Sequence, residues 1–122
     1  PQELVRLSLV RSHFAEQIAT HSVFASRKIE VSLMFLFSLL DAMLDEPMEE
    51  ALKDIPLSED VKDFLINKKG RFAPLAHIIE QYEQGEWDHM SELAEQIKTD
   101  PVKLSKWYID ALHWADRIVT KA

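Results

Sequence analysis

Several histidines stand three residues before an acidic residue, a spacing that could serve a metal ion. Among these pairs are His13 with Glu16, His77 with Glu80 and His113 with Asp116. Positions three apart share one face of a helix, so each pair could present an imidazole and a carboxylate together. Di-iron bundles use the opposite order, Glu-x-x-His, with further glutamates from other helices. Since the chain holds 21 acidic residues and 5 histidines, such pairs are expected by chance, and we predict partly exposed surface histidines and no metal site.

Residues for covalent or phosphate chemistry are missing from the sequence. There is no cysteine, and neither Gly-x-Ser-x-Gly nor His-Glu-x-x-His occurs. The two glycines, Gly70 and Gly85, lie too far apart to form a loop that cradles phosphates. We therefore predict a protein that is not an enzyme and that binds no cofactor.

The charge balance argues against nucleic acid as a partner. Fourteen Lys and Arg face 21 Asp and Glu, a net charge of −7, whereas phosphate backbones are bound by dense basic patches. One small basic group, Lys68, Lys69 and Arg71, has no acidic residue nearby in the sequence. Cations at a helix end explain it, and a spot for an anionic ligand or an acidic protein surface is the alternative.

Apolar and aromatic residues supply the candidate contact surface. The run 29–44 is apolar nearly all round, which predicts a helix that other elements or another chain must enclose. It has about sixteen residues, whereas a membrane span needs ~20, so we predict no membrane insertion and a cytoplasmic protein. Aromatic residues at helical spacing in the last forty positions indicate either core or an interface. The candidate interaction surface consists of Phe35, Leu36, Phe37, Trp87, Trp107 and Trp114.

The elements that carry these residues are all predicted to be helices. Leu7, Val10, Phe14 and Ile18 follow helical spacing and mark one face of a first helix over about residues 2–20. Capping and stop signals, among them Ser58, Gly70, Gly85 and Asp100, divide the rest after the 29–44 helix into five more. The pattern predicts one all-α, bundle-like domain of about seven helices over residues 1–122. Because the chain does not begin with Met, we expect a fragment of a longer protein.

Several sequence blocks, taken in order, resemble the C-terminal part of an HDOD domain, as found behind EAL domains in bacterial signalling proteins. The blocks are Glu3-Leu4-Val5-Arg6, Leu9-Val10-Arg11, Ser38-Leu39-Leu40-Asp41-Ala42-Met43-Leu44, Pro47-Met48-Glu49-Glu50, Ile55-Pro56-Leu57-Ser58 and Tyr82-Glu83-Gln84-Gly85-Glu86-Trp87. The resemblance covers most of the chain. It implies an HD-domain-like helical fold, truncated at the N-terminus.

HDOD domains resemble HD-type metal phosphohydrolases that have lost their metal-binding residues. The resemblance places Ser38-Leu39 where catalytic relatives have His-Asp, and Phe35 where they have glycine. Leucine offers a metal no donor atom, so these are degenerate metal positions. The resemblance thus implies a non-catalytic output module that contacts a protein partner or an attached cyclic-di-GMP-related domain, and a homodimer would help to cover the apolar run.

Two alternatives stay open at this point. The chain could be a fragment of an HD-type metal-dependent phosphohydrolase whose remaining ligands come from an upstream segment. It could also be a helical adaptor unrelated to cyclic dinucleotides.

Overall fold

A computed structural model describes residues 2–121, and all regular structure within that range is helical. The α-helices are α1 (Gln2–Thr20), α2 (Lys28–Leu36), α3 (Leu40–Leu44), α4 (Met48–Ala51), α5 (Glu59–Asn67), α6 (Ala73–Gln84), α7 (Met90–Gln96) and α8 (Leu104–Lys121). Two short 3-10 helices, Ala25–Arg27 and Pro101–Lys103, lead into α2 and α8. The all-α class predicted from the sequence is confirmed.

Helix α1 is the central element, and it packs most extensively against α2 and α8, with α6 also in contact. Its buried residues include three of the four residues of the predicted stripe, Val10, Phe14 and Ile18, whereas Leu7 is half-buried. Small residues on another side of α1 let α2 approach closely, and the buried Ser12 hydroxyl lies 2.8 Å from that of Ser32. The core therefore surrounds α1 on several sides.

The predicted single helix over 29–44 is wrong, because the chain breaks at residues 37–39. Helix α2 ends at Leu36, and α3 begins only at Leu40. The Ser38 hydroxyl donates to the Phe35 carbonyl at 2.7 Å, a local bond that competes with helical hydrogen bonding. The expectation of a helix enclosed all round also fails, since Ile29, Leu33 and Leu44 are exposed. This break gives residues 2–121 eight α-helices where about seven were expected.

Two of the four residues predicted to mark helix ends act as expected and two do not. Gly85 ends α6 with φ 69°, and Asp100 accepts a hydrogen bond from the Val102 amide. Ser58 precedes α5, but its hydroxyl makes no cap and bonds to Glu30 and Asp60 instead. Lys68, rather than Gly70, takes the left-handed position that closes α5, with φ 61°.

Between residues 2 and 121, no helix combines the length and the apolar character that crossing a bilayer requires.

Candidate functional site

The six residues predicted as a contact surface lie in different environments. Phe35 and Trp107 are 4% and 5% exposed and belong to the core, so their assignment to a surface is wrong. Both sit on helix faces that pack inward, which an apolar run on its own does not reveal. Trp114 is half-buried and stacks on His13, with ring centroids 4.7 Å apart. Trp87 is 58% exposed and meets Tyr82 edge-on.

Leu36 and Phe37, the other two predicted contact residues, line an apolar groove between α1 and the α2–α3 region. Leu40 and Met43 continue the groove along α3, and Val5, Ser8 and Leu9 form the α1 side. Its volume is about 210 Å³ and nearly all of its accessible surface is apolar. Val5 is 44% exposed at its edge. We call this surface the α1–α3 groove.

Ser38 lines a different cavity, on the other side of the 37–39 turn. This cavity, of about 260 Å³, lies among α1, the end of α2, the end of α5 and α6. Its apolar floor consists of Phe35, Phe64, Leu65, Ala73, Ala76 and Ile79. Its polar rim consists of Arg11, Ser38, Lys68, His77 and Glu80. We call it the Ser38 cavity.

A partly buried ion pair with Glu83 holds Arg11 at the rim of this cavity. Arg11 Nε lies 2.7 Å from one oxygen of Glu83 and Nη2 lies 2.8 Å from the other, a two-bond fork. Arg11 Nη1 donates to Ser38 Oγ at 3.2 Å. The side chains of Arg11 and Glu83 are only 19% and 17% exposed. The pair thus joins α1, the 37–39 turn and α6.

The oxygen atoms beside the turn are already engaged by Arg11, since the Ser38 hydroxyl and both oxygens of Glu83 accept hydrogen bonds from its guanidinium. A divalent cation would have to displace these bonds to use the same oxygen atoms as ligands. Leu39, the second predicted degenerate metal position, is half-buried and its side chain offers no donor atom. Within residues 2–121, no three His, Asp or Glu side chains are grouped so as to hold a metal ion.

The three His-x-x-acid pairs named in the sequence analysis lie in different parts of the structure and do not converge on one site. His13 faces α8, and burial lowers its pKa although Glu16 and Asp110 act in the opposite direction. Asp116, the acid of the His113 pair, forms an ion pair with Arg6 at 2.7 Å instead. His77 and Glu80 both reach the Ser38 cavity.

Sequence reasoning missed the two residues that organise the site, Arg11 and Glu83. They lie 72 positions apart, so no spacing rule connects them. Both stand inside blocks that carry the HDOD resemblance, Leu9-Val10-Arg11 and Tyr82-Glu83-Gln84. Their place in these blocks was the available signal.

Two curated proteins are similar to nearly the whole chain. A cyclic di-GMP phosphodiesterase, CdgJ of Vibrio cholerae serotype O1, is 31% identical over 118 residues, which are 97% of this chain. The uncharacterized protein YuxH of Bacillus subtilis is 28% identical over 119 residues, which are 96% of this chain. The chain spans only 27% and 28% of these relatives, about a quarter of their length.

No protein-family model matches the chain, and no solved structure matches it. The comparisons therefore relate the chain to one part of a cyclic di-GMP signalling protein.

Proposed function

We propose that this chain is a non-catalytic output module of the HDOD type, attached to a cyclic-di-GMP-related EAL domain in a cytoplasmic signalling protein. It acts by contacting a protein partner or the attached domain. The observation that carries the proposal is the hydrogen bond of 3.2 Å from the Arg11 guanidinium to Ser38, at the position where the HDOD resemblance implies the His-Asp of catalytic relatives.

The non-catalytic part of the proposal rests on charge and on donor atoms. The chain's own cation, Arg11, stands beside Ser38, and Leu39 gives no ligand to a metal. Glu83, the nearest carboxylate to this arginine, has both oxygens engaged by it. A metal-dependent hydrolase would need these positions for its ions.

The signalling part of the proposal rests on the similarity to CdgJ, which covers 97% of this chain but 27% of the relative. A phosphodiesterase of that length has room for other domains besides the matched segment. We therefore assign the cyclic di-GMP chemistry to a part of the protein outside this chain.

Metal analysis of the full-length protein, with the 122-residue chain measured in parallel, tests the first part of the proposal. We expect neither iron nor manganese to remain bound to the chain after exchange into metal-free buffer. Stoichiometric manganese or iron in the chain, accompanied by phosphodiester hydrolysis, would favour the HD-type hydrolase alternative.

The contact surface that we propose is the α1–α3 groove. Apolar surface left open to water marks interaction sites when it is contiguous, and the groove is lined by Leu36, Phe37, Leu40 and Met43. An apolar helix face or loop of the partner fits such a groove.

Matched substitutions test the groove in the full-length protein. Val5→Glu places a charge at its edge, and Val102→Glu makes the same change at a residue that is 84% exposed and outside the groove. We expect Val5→Glu to weaken association of this chain with the upstream part of the protein, supplied separately and measured by calorimetry, about tenfold or more. Equal affinity of the two variants would contradict the assignment.

The homodimer stays a prediction. The apolar 29–44 helix that suggested it is broken at residues 37–39, and several of its side chains are buried within the chain itself. A second copy would have to cover the α1–α3 groove or exposed residues such as Ile29 and Leu33. Light scattering on the dilute chain tests it. A folded monomer would remove the homodimer from the proposal.

A further inference from the structure

We propose that the Ser38 cavity binds a small molecule with a flat apolar ring and one singly charged anionic group. This goes beyond the proposed output function, since the site lies across the 37–39 turn from the α1–α3 groove and does not depend on any protein partner. Neither the degenerate metal positions nor the comparisons assign a ligand to it.

The floor of the cavity suits an apolar ring. Phe35 and Phe64 are buried there, with ring centroids 6.4 Å apart and planes inclined by 51°. Aliphatic side chains of Leu65 and Ile79 complete it. A volume of about 260 Å³ admits one ring with a short substituent rather than a nucleotide-sized molecule.

Arg11 is prepared to bind an anion at the edge of this floor. A guanidinium has five N–H donors, and the contacts to Glu83 and Ser38 use three of them. These contacts hold the group in one orientation while it lines the cavity. A positioned donor loses little conformational freedom on binding, so the remaining N–H groups can bind an oxyanion efficiently.

Lys68 brings a second cation from another element. It reaches the cavity from the C-terminal end of α5, and no ion pair of Lys68 occurs among the described residues. Its left-handed backbone, φ 61°, is one that lysine adopts at a cost. The same conformation closes α5.

The balance of charge limits the ligand to a single negative charge. Arg11 is neutralised by Glu83, and Glu80 on the rim opposes Lys68. Recognition therefore depends on directed hydrogen bonds rather than on a strong positive field, and Glu80 repels a dianion about twice as strongly as a monoanion. Aromatic carboxylates fit this description, whereas phosphate monoesters carry a second charge.

A titration followed by amide NMR tests the inference on the 122-residue chain, with benzoate as the probe. Three comparison probes each change one property: benzyl alcohol lacks the charge, acetate lacks the ring, and phenyl phosphate carries two charges. We expect benzoate to shift the amides of Ser38, Lys68 and His77 with a dissociation constant on the order of a millimolar, as befits so small a ligand. The other three probes should bind at least about fivefold more weakly.

Two lysine variants give the matched control. Lys68→Gln should weaken benzoate binding about tenfold, the equivalent of one charge-assisted hydrogen bond. Lys69→Gln removes the same charge from a neighbour that does not line the cavity, and it should leave binding unchanged. No amide shift with benzoate, equal binding of acetate, or equal loss in the two variants would each overturn the inference.

Discussion

Arg11 illustrates how much a single side chain can decide in this molecule. Its guanidinium joins Glu83 on α6 and Ser38 in the 37–39 turn, and it does so where water has limited access. A half-buried charge without its partner is strongly unfavourable, more than the intact pair is favourable. The residue therefore controls both the position of the turn and the charge at the Ser38 cavity.

We expect Arg11→Met to lower the free energy of unfolding by about 2–3 kcal/mol, because it leaves the Glu83 carboxylate without a partner. Glu83→Gln should cost less, since an amide can still accept a bond from Arg11. Combining Arg11→Met with Glu83→Gln should recover part of the loss, because no charge is then left without a partner. Urea unfolding of the four proteins measures this coupling, and additive losses would show that the two side chains act independently.

His13 provides a pH dependence that can be assigned to one residue. Burial against α8, where its ring stacks on Trp114, lowers its pKa in the folded chain. In the unfolded chain the histidine pKa is about 6.5. Below this pH, His13 therefore binds a proton more readily in the unfolded chain than in the folded chain. Its contribution to stability is therefore present above pH ~6.5 and is lost as the pH falls toward the folded pKa.

We expect His13→Phe, which keeps a flat ring against Trp114, to remove this part of the acid sensitivity. The free energy of unfolding of the variant should fall less between pH 7 and pH 5 than that of the unmodified chain. Urea titrations at several pH values measure it, with His113→Gln on the exposed side of α8 as the control. A similar gain from His113→Gln would show that the effect is not specific to His13.

Among the elements, α2 and α5 are joined by one arginine at the start of α2. Arg27 Nη1 lies 2.6 Å from Asp60, Nη2 lies 2.6 Å from Glu30, and the guanidinium carbon lies 5.4 Å from the centre of the Phe72 ring. The hydrogen bonds from Arg27 hold the pKa of Asp60 well below its usual range. Ser58 bonds to the same two carboxylates, which is why it does not cap α5.

Arg27→Gln should lower the stability at pH 7 by about 1 kcal/mol, a modest value because both carboxylates are partly exposed. The folded pKa of Asp60 is depressed, so its contribution is present above pH ~4 and is lost as the pH falls further. The difference in the free energy of unfolding between the variant and the unmodified chain should therefore shrink at pH 3.

Arg6→Gln serves as the control, because it breaks an exposed pair with Asp116. It should change the free energy of unfolding by less than about 0.5 kcal/mol. Urea unfolding of both variants at pH 7 and pH 3 measures these values.

The elements also show where sequence reasoning succeeds and where it stops. Helical spacing identified the α1 stripe, and Gly85 and Asp100 marked element ends, because these signals depend on residues close in sequence. The break at Ser38 depends on a hydroxyl that bonds to a carbonyl three residues earlier, and an apolar pattern does not report such a bond. The role of Glu83 depends on its contact with Arg11, 72 positions away in the sequence. Such a contact is visible only in the folded structure.

At the scale of the whole molecule, the core around α1 and the α1–α3 groove are separate apolar regions. The core stabilises the fold, whereas the groove is the proposed contact surface. Phe14 is fully buried and packs against Tyr82 of α6 and Tyr108 of α8. Phe37 is half-buried at the groove. The proposed function requires that groove residues can change without loss of the fold, since otherwise a binding defect would only report unfolding.

Phe14→Ala and Phe37→Ala remove the same atoms and so compare the two regions directly. Phe14→Ala should cost about 3–5 kcal/mol, because it leaves a cavity at the junction of α1, α6 and α8. This is a large share of the ~5–15 kcal/mol that stabilises a domain of this size. Phe37→Ala should cost about 1–2 kcal/mol, since the side chain is already half in water. Urea unfolding measures both losses, and a cost for Phe37→Ala as large as that for Phe14→Ala would mean that the groove is part of the core rather than a surface for a partner.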